Sequence, residues 1–460
     1  MNKTLIVLGL MTGLIFWIGQ SNWLELFSAQ QQMTLLVLIV AIYLWTASPI
    51  PAGPASFLVL ALMIGLGIVE SSEMAFRGFL TEALYFILLL SLISQVLVKI
   101  GFDRTVAEWF QRVSRGRIKR LIVGLPLLLL LMPIILPSAM ARYKILYPLI
   151  SKINDLYGYS HQSLFKKFGL YVISFFNQKA TLIIFTGGGF SVIAYQLMVE
   201  YGVGQLRWIE WFTLMAPPLW LAMLLSAAVV WVYLKWRTVE PVANVQHSEG
   251  KDVEADIEAK HHQYWLAVIA FGVMILTWIL TDPSVFPIIL PPMLLVVFYA
   301  LPQVGLVNNQ LIRSFDWESF LLLGTSFSLG MLMADNGTAQ VIAEALVEFL
   351  PGHDQRVLIV ISLVCFIWMM RFMFTNSSSA IAVVFPIFIS YAELVNISPI
   401  ALSLLVIMVI GGTLIIPIHS PSTFYASQEG IISRKEQFVI GFISSLIVSI
   451  VAVLAVFLYW

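Results

Sequence analysis

Long apolar runs, interrupted by short polar stretches, follow one another along almost the whole chain. Most runs are close to the roughly 20 residues that a helix needs to cross the hydrocarbon core of a bilayer, which predicts about eleven crossing helices. Their approximate ranges are 4–20, 33–49, 55–70, 80–101, 164–200, 209–235, 263–281, 284–301, 315–335, 399–427 and 436–459.

Two further apolar stretches, 119–155 and 356–392, are long enough for more than one crossing but are polar at their centres. The first break lies at Ser138 and the second at Thr375-Asn376-Ser377-Ser378. We interpret each stretch as a re-entrant helical hairpin whose tip is the break. Unpaired backbone groups at membrane depth are tolerated only where they line a polar cavity, so paired breaks indicate the binding site of a transporter.

Composition places lipid as the main solvent of the chain. Hydrophobic residues make up 60% and charged residues 11% of the sequence, against a norm of roughly 25% charged for soluble domains. The 25 basic and 25 acidic residues balance, which excludes attraction of the whole chain to nucleic acid. The single cysteine, Cys365, excludes an internal disulfide. The predicted fold class is therefore an all-α integral membrane protein.

A hydrophilic segment, 237–262, separates two halves of similar organisation. The predicted divisions are a first crossing helix with an outer loop (1–32), a first repeat with hairpin 119–155 (33–236), a linker (237–262) and a second repeat with hairpin 356–392 (263–460). The histidines of the linker show no zinc-ligand spacing, so we interpret it as a solvated segment.

The distribution of Lys and Arg predicts the orientation. Six basic residues lie within 103–120, and other basic pairs fall in loops on the same side of the predicted topology. The positive-inside rule assigns that side to the cytoplasm, with the N-terminus inside and the C-terminus outside. The first hairpin then enters from inside and the second from outside, as inverted repeats. Segments 103–116 and 338–350 read as amphipathic helices at the inner and outer surfaces.

Basic side chains accompany both breaks. Arg142 and Lys144 follow the first tip, Arg371 precedes the second, and Lys179 precedes three glycines at 187–189. Charges at membrane depth are costly and are commonly functional, which favours an anion as ligand. The alternative for Arg142 and Lys144 is that their heads reach the cytoplasmic interface. The glycines permit close approach of backbone to an ion, or simply close packing of helices.

These features resemble the divalent anion/sodium symporters. That family has a Ser-Asn-Thr motif at each hairpin tip and an apolar run ending in proline; here Ser138-Ala139-Met140 leads to Pro148, and Thr375-Asn376-Ser377-Ser378 leads to Pro386. The acidic-Trp opening and spaced glycines of 315–330 are also similar to the family. Ala139 and Met140 depart from the motif, which leaves Ser138 as the only side-chain oxygen of that triplet.

The resemblance implies a homodimer with an elevator mechanism, in which each tip and an unwound span bind sodium and the anion lies between the tips. The unwound regions would be 186–189 and 417–423. The residues expected at the anion are Ser138, Ala139, Arg142, Asn376, Ser377, Ser378, Ser422 and Thr423. The residues expected at sodium are Ser138, Gly187, Gly188, Thr375, Asn376, Ser377 and Ser420.

The leading hypothesis is a secondary active transporter in the cytoplasmic (inner) membrane. It would carry a dicarboxylate, citrate or sulfate with sodium or protons, and it would need no cofactor beyond the coupling ion. An anion exchanger or a sodium/proton antiporter is the alternative; an antiporter would require buried carboxylates. A membrane-embedded enzyme is a remote alternative, since the sequence has no His-Glu-x-x-His or Gly-x-Ser-x-Gly motif.

Overall fold

A computed structural model describes residues 27–46, 48–102, 105, 118–238, 261–349, 356–374, 377–395 and 397–460. Within these ranges the regular elements are helices, and none is a strand, in agreement with the predicted class. Several predictions lie outside the described residues: the crossing helix at 4–20, nearly all of the amphipathic segment 103–116, most of the linker, and the tip residues Thr375 and Asn376.

We number the α-helices of the described chain in order. The first half contains α1 (Ala29–Thr46), α2 (Ala52–Gly65), α3 (Ser72–Phe76), α4 (Glu82–Lys99), α5 (Ile118–Ile135), α6 (Ala139–Leu156), α7 (Leu164–Tyr171), α8 (Asn177–Ala180), α9 (Gly189–Glu200) and α10 (Trp208–Arg237). The second half contains α11 (His261–Leu280), α12 (Leu290–Ala300), α13 (Asn309–Arg313), α14 (Trp317–Asp335), α15 (Thr338–Phe349), α16 (Arg356–Met373), α17 (Ser377–Val395), α18 (Pro399–Gly412), α19 (Pro421–Gln428) and α20 (Arg434–Leu458).

The chain divides into two compact units. The first comprises Met1–Leu84, Ile193–Gly204 and Asp316–Ile410, and the second comprises Tyr85–Val192, Gln205–Phe315 and Gly411–Trp460. The first predicted hairpin, α5 and α6, belongs to the second unit. The second predicted hairpin, α16 and α17, belongs to the first unit.

Close helix packing around α14 organises the first unit. This helix packs against α2 and α17. The Gly78 amide donates to the Ser328 hydroxyl of α14 at 2.9 Å, and Gly330 lies so close to the Ala382 carbonyl of α17 that a Cβ at residue 330 would overlap it. Small residues allow such backbone approach between helices in membranes, and here they hold α17 beside α14.

The second unit is organised around α10 and α20, which pack against each other. A capping box begins α20: the Ser433 hydroxyl accepts from the Glu436 amide at 3.2 Å, and the Glu436 carboxylate accepts from the Ser433 amide at 3.0 Å. Glu436 also forms an ion pair of 2.8 Å with Lys167 of α7. This pair fixes the start of the segment that carries much of the candidate site.

Segment 164–200 differs from the single crossing helix predicted for it. The chain forms α7, a turn of π-helix at Val172–Phe176, α8 and a 3-10 turn at Thr181–Ile183, and becomes helical again only at Gly189. The predicted run 399–427 is similarly divided into α18, a 3-10 turn at Pro417–His419 and α19. Apolar composition shows that a segment avoids water, but it does not require one unbroken helix.

Five helices in the described chain are long and apolar enough to cross a bilayer: α4, most of α11, α10, α14 and α20. Six further apolar helices are shorter, among them α1, α2 and α18. Only 22% of the apolar window of α11 is buried, and side chains such as Ile269 and Val273 are exposed on it. Outward-facing apolar side chains of this kind suit contact with lipid.

Candidate functional site

The first predicted tip is a true break between two helices. Helix α5 ends at Ile135 and α6 begins at Ala139. Ser138 caps α6: its hydroxyl accepts a hydrogen bond of 3.2 Å from the Ala141 amide. The hydroxyl therefore lies at the positive end of α6, where an anion is favoured, while the last carbonyls of α5 form the negative end of the preceding helix.

Arg142 lies one turn into α6 and is completely buried, with 0% exposure. Its guanidinium donates from Nε to the Asn177 side-chain oxygen at 2.6 Å, from one terminal nitrogen to the Leu136 carbonyl, and from the other to the Asn177 carbonyl at 3.3 Å. Two of its five N–H donors remain after these three bonds. Lys144, in contrast, is exposed, so the structure places the two basic residues in different surroundings.

Asn177 is the residue that sequence reasoning missed. Besides accepting from Arg142, its side-chain amide donates to the Ala139 carbonyl at 2.8 Å and to the Ile173 carbonyl at 3.0 Å. It thereby joins the first tip to the end of the π-helical turn at Val172–Phe176. Such turns often mark functional sites, and the amide pair Asn177-Gln178 within an apolar run, next to Lys179, was the available signal.

The glycine run meets the first tip. A Cβ added at Gly188 would lie 3.1 Å from the Thr181 side chain and 3.5 Å from the Pro137 carbonyl oxygen. The Gly187 amide donates to the Ile184 carbonyl at 3.0 Å. The non-helical stretch before α9 therefore places its backbone against the tip backbone; the ion site predicted at Gly187 and Gly188 stays a prediction.

The predicted residues of the second unwound region form a buried hydroxyl cluster. The Ser420 hydroxyl lies 3.2 Å from that of Ser422 and 3.0 Å from that of Thr423, and it caps α19 by accepting from the Thr423 amide. The Ser422 hydroxyl donates to the Ser174 carbonyl at 3.2 Å. Ser174 lies in the same π-helical turn that precedes Asn177. This turn therefore contacts the hydroxyl cluster through Ser174 and leads directly into Asn177, which contacts the first tip.

Lys179 adds a second buried positive charge to this unit. The residue is 1% exposed, and its Nζ donates to the Ser444 hydroxyl of α20. The Tyr171 hydroxyl also lies 3.3 Å from this Ser444 oxygen. Because three donors are available on an ammonium group, Lys179 has two N–H groups beyond this one bond.

The second tip, in the first unit, has its own buried arginine. Arg371 is 0% exposed; it donates to the Phe374 carbonyl at 2.5 Å and to the Ser377 hydroxyl at 2.9 Å. Ser377 and Ser378, both predicted at the anion, are buried at the start of α17. The predicted ligands Thr375 and Asn376 lie outside the described residues.

Buried charge in the described part of the chain has one sign. No aspartate or glutamate in this part is buried to the same degree. Its buried charged side chains are all basic: Arg142, Lys166, Lys167, Lys179 and Arg371. Groups of three or more His, Cys, Asp or Glu side chains able to hold a metal are also absent from this part. Since a buried charge needs compensation, this interior suits an anion.

The described part of the chain is helical, with lipid-compatible outer faces, broken helices and buried basic groups, and these are the features of a membrane transporter for anions. The comparison with protein families agrees. The chain belongs to the family described as "Sodium:sulfate symporter transmembrane region", whose model matches residues 2–460.

Individual relatives are distant. A protein of Haemophilus influenzae described as an uncharacterized transporter is 22% identical over 152 residues, which span 33% of this chain and 32% of that relative. A membrane protein of Cupriavidus necator is 20% identical over 416 residues, 85% of this chain and 79% of the relative. The chain thus spans about a third of the first relative's length and most of the second's.

A similar fold occurs in a solved structure. The YdaH transporter of Alcanivorax borkumensis, whose crystal structure is described as having an unusual topology, matches with a TM-score of 0.54 at 15% identity. The match covers 92% of this chain and 97% of that one. The family match shows membership of a symporter family, and the solved structure shows a similar fold.

Proposed function

We propose that this protein carries a small divalent anion, a dicarboxylate, citrate or sulfate, across the cytoplasmic membrane. The observation that supports the proposal is the sign of the buried charge: Arg142 and Lys179 are buried in one unit and have no ion-pair partner among the described residues. A charge left uncompensated in a low-dielectric interior is costly. An incoming anion would remove that cost.

The two charges and the first tip suit a divalent ligand. Arg142 and Lys179 together provide two positive charges, and the amides at the start of α6, beside Ser138, provide a further positive end. A guanidinium is planar and binds carboxylate or sulfate oxygens in pairs, whereas an ammonium acts as a point charge. We assign Ser422 and Thr423 as hydroxyl partners of the anion in the same unit.

The route and assembly follow from the resemblance. We propose an elevator movement in a homodimer, with the N-terminus in the cytoplasm and the C-terminus outside. The positive-inside distribution of Lys and Arg supports the orientation. Paired helix breaks, one in each half, support the assignment of the hairpins as parts that line the anion's path.

Three forms of coupling are candidates. Coupling to sodium or protons is the form that the family resemblance suggests, and anion exchange is the second. Exchange of sodium for protons is the weakest candidate, because proton-coupled cation carriers use carboxylates within the membrane and the described residues include no buried Asp or Glu.

Ligand binding by the purified protein tests the proposal. A panel of C4 dicarboxylates, citrate, sulfate and phosphate is compared by thermal stability, and we expect one divalent class to raise the melting temperature. At a hundred times its dissociation constant, a ligand specific for the folded state adds about 2.7 kcal/mol of stability. Monovalent acetate serves as the control. Equal stability with every anion, or turnover of the anion to a new compound, would contradict the proposal.

A further inference from the structure

We infer that the buried guanidinium groups of Arg142 and Arg371 take the places of coupling cations at the two tips, so that the anion binds without sodium. The inference deepens the proposed function and rests on it. In transporters with broken helices, the carbonyls at the C-terminal ends of half-helices are the groups that coordinate the coupling cation. In this chain each tip presents such carbonyls to an arginine of its own hairpin.

At the first tip one side chain engages three oxygens. Leu136 follows directly on α5, and its carbonyl belongs to the negative end of that helix. The Arg142 guanidinium donates to this carbonyl and to both the side-chain and main-chain oxygens of Asn177. Carbonyl and amide oxygens are the ligands that a hard cation prefers. The Arg142 guanidinium therefore occupies the oxygens that a bound sodium ion would need as ligands.

The second tip has the same arrangement in its own unit. Phe374 follows directly on α16, and its carbonyl accepts from Arg371. The same guanidinium donates to the Ser377 hydroxyl, one of the oxygens expected at sodium. Arg371 lies before the break of its hairpin, whereas Arg142 lies after the break of the first hairpin. In both hairpins the arginine donates to the carbonyl that follows directly on the first helix, Leu136 or Phe374.

Like charges oppose a second cation at either place. A sodium ion sharing the Leu136 or Phe374 carbonyl would lie within a few ångströms of a guanidinium in a medium of low dielectric, where the repulsion is strong. The departure of Ala139 and Met140 from the family's motif fits this arrangement, because the amide and hydroxyl ligands are missing where Arg142 is present.

The test is the sodium dependence of anion binding by the unmodified protein. The affinity of the best anion of the panel is measured by thermal stabilisation in sodium, potassium or N-methylglucamine gluconate at constant ionic strength. A coupled cation typically changes the affinity of its partner by about 5–150-fold. We expect less than a roughly twofold difference between sodium and the other cations, well below that coupling range.

Variants identify the groups responsible. Arg142→Gln should weaken the anion by about tenfold or more, the cost of one lost charged contact, and sodium should then partly restore its affinity because three oxygens become free. Arg142→Lys keeps a charge and should stay independent of sodium. Arg120→Gln, at an exposed position of α5, is the control and should match the unmodified protein.

The outcomes separate the two proposals. Anion binding that requires sodium in the unmodified protein overturns the inference and leaves the proposed function standing. A panel in which no anion binds under any cation overturns the proposed function, and the inference with it. Anion binding that is equal in sodium and N-methylglucamine supports both, even if Arg142→Gln fails to fold, because the first measurement needs no variant.

Discussion

At the scale of single residues, Asn177 determines what Arg142 can bind. Its side-chain oxygen neutralises none of the charge of the guanidinium; it only accepts the hydrogen bond from Nε at 2.6 Å. An amide at this place therefore orients the arginine while leaving its charge for a ligand. A carboxylate of the same shape would orient it equally well and would also cancel the charge.

Asn177→Asp tests this role directly. We expect the variant to fold with stability within about 1 kcal/mol of the unmodified protein, since the acceptor remains and a charge-assisted bond is the stronger kind. Its affinity for the anion should fall at least about tenfold, or 1.4 kcal/mol, because the new carboxylate competes with the ligand. The two quantities are measured by chemical unfolding and by anion-dependent thermal stabilisation.

Gln178→Glu is the matched control, because it adds the same charge one residue further along, at a less buried position. It should leave the anion affinity close to that of the unmodified protein. If the two variants lose affinity equally, general electrostatics and not the contact with Arg142 explains the effect.

At the scale of elements, the contact between α14 and α17 determines where the second tip begins. Gly330→Ala would put a Cβ against the Ala382 carbonyl, and a main-chain atom in a packed helix cannot turn away as a side chain can. We expect a loss of about 1–3 kcal/mol in unfolding free energy, the usual cost of overpacking. Transport should fall too, since α17 carries Ser377 and Ser378.

Gly272→Ala supplies the comparison for that measurement. Gly272 lies inside α11, and a Cβ there would meet no atom within 4 Å. Alanine is favoured over glycine in a helix by about 0.8–1 kcal/mol, so this variant should be as stable as the unmodified protein or slightly more stable. Equal destabilisation of both variants would mean that glycine flexibility, not the α14–α17 contact, matters at residue 330.

Sequence patterns located the helix breaks better than the contacts made there. Polar residues within apolar stretches predicted the break between Ile135 and Ala139 and the one between Met373 and Ser377, because a helix interior at membrane depth rarely carries such a group. The interrupted run 164–200 was predicted as one helix, since hydropathy does not distinguish α-helix from π-helix. The bond between Arg142 and Asn177 joins residues 35 positions apart, and no local pattern encodes it.

At the scale of the whole molecule, fixed charges raise the free energy needed for the empty carrier to return across the membrane. A carrier that releases its anion together with sodium returns without added charge, whereas Arg142 and Lys179 remain in the protein after the anion leaves. Moving these charges through a low-dielectric environment without an anion is unfavourable. The return step should therefore be faster with an anion bound, and the protein should act as an exchanger.

Counterflow into proteoliposomes measures this directly. Vesicles preloaded with the unlabelled anion should take up labelled anion at least about fivefold faster than empty vesicles, an effect of about 1 kcal/mol on the barrier of the return step. One-for-one exchange moves no net charge, so a potassium diffusion potential should leave the rate unchanged. Protein-free vesicles give the background. In the opposite outcome, an inward sodium gradient would drive uptake into empty vesicles as fast as uptake into preloaded ones. That result would show that the empty carrier returns freely and that groups of the protein itself compensate its buried charges.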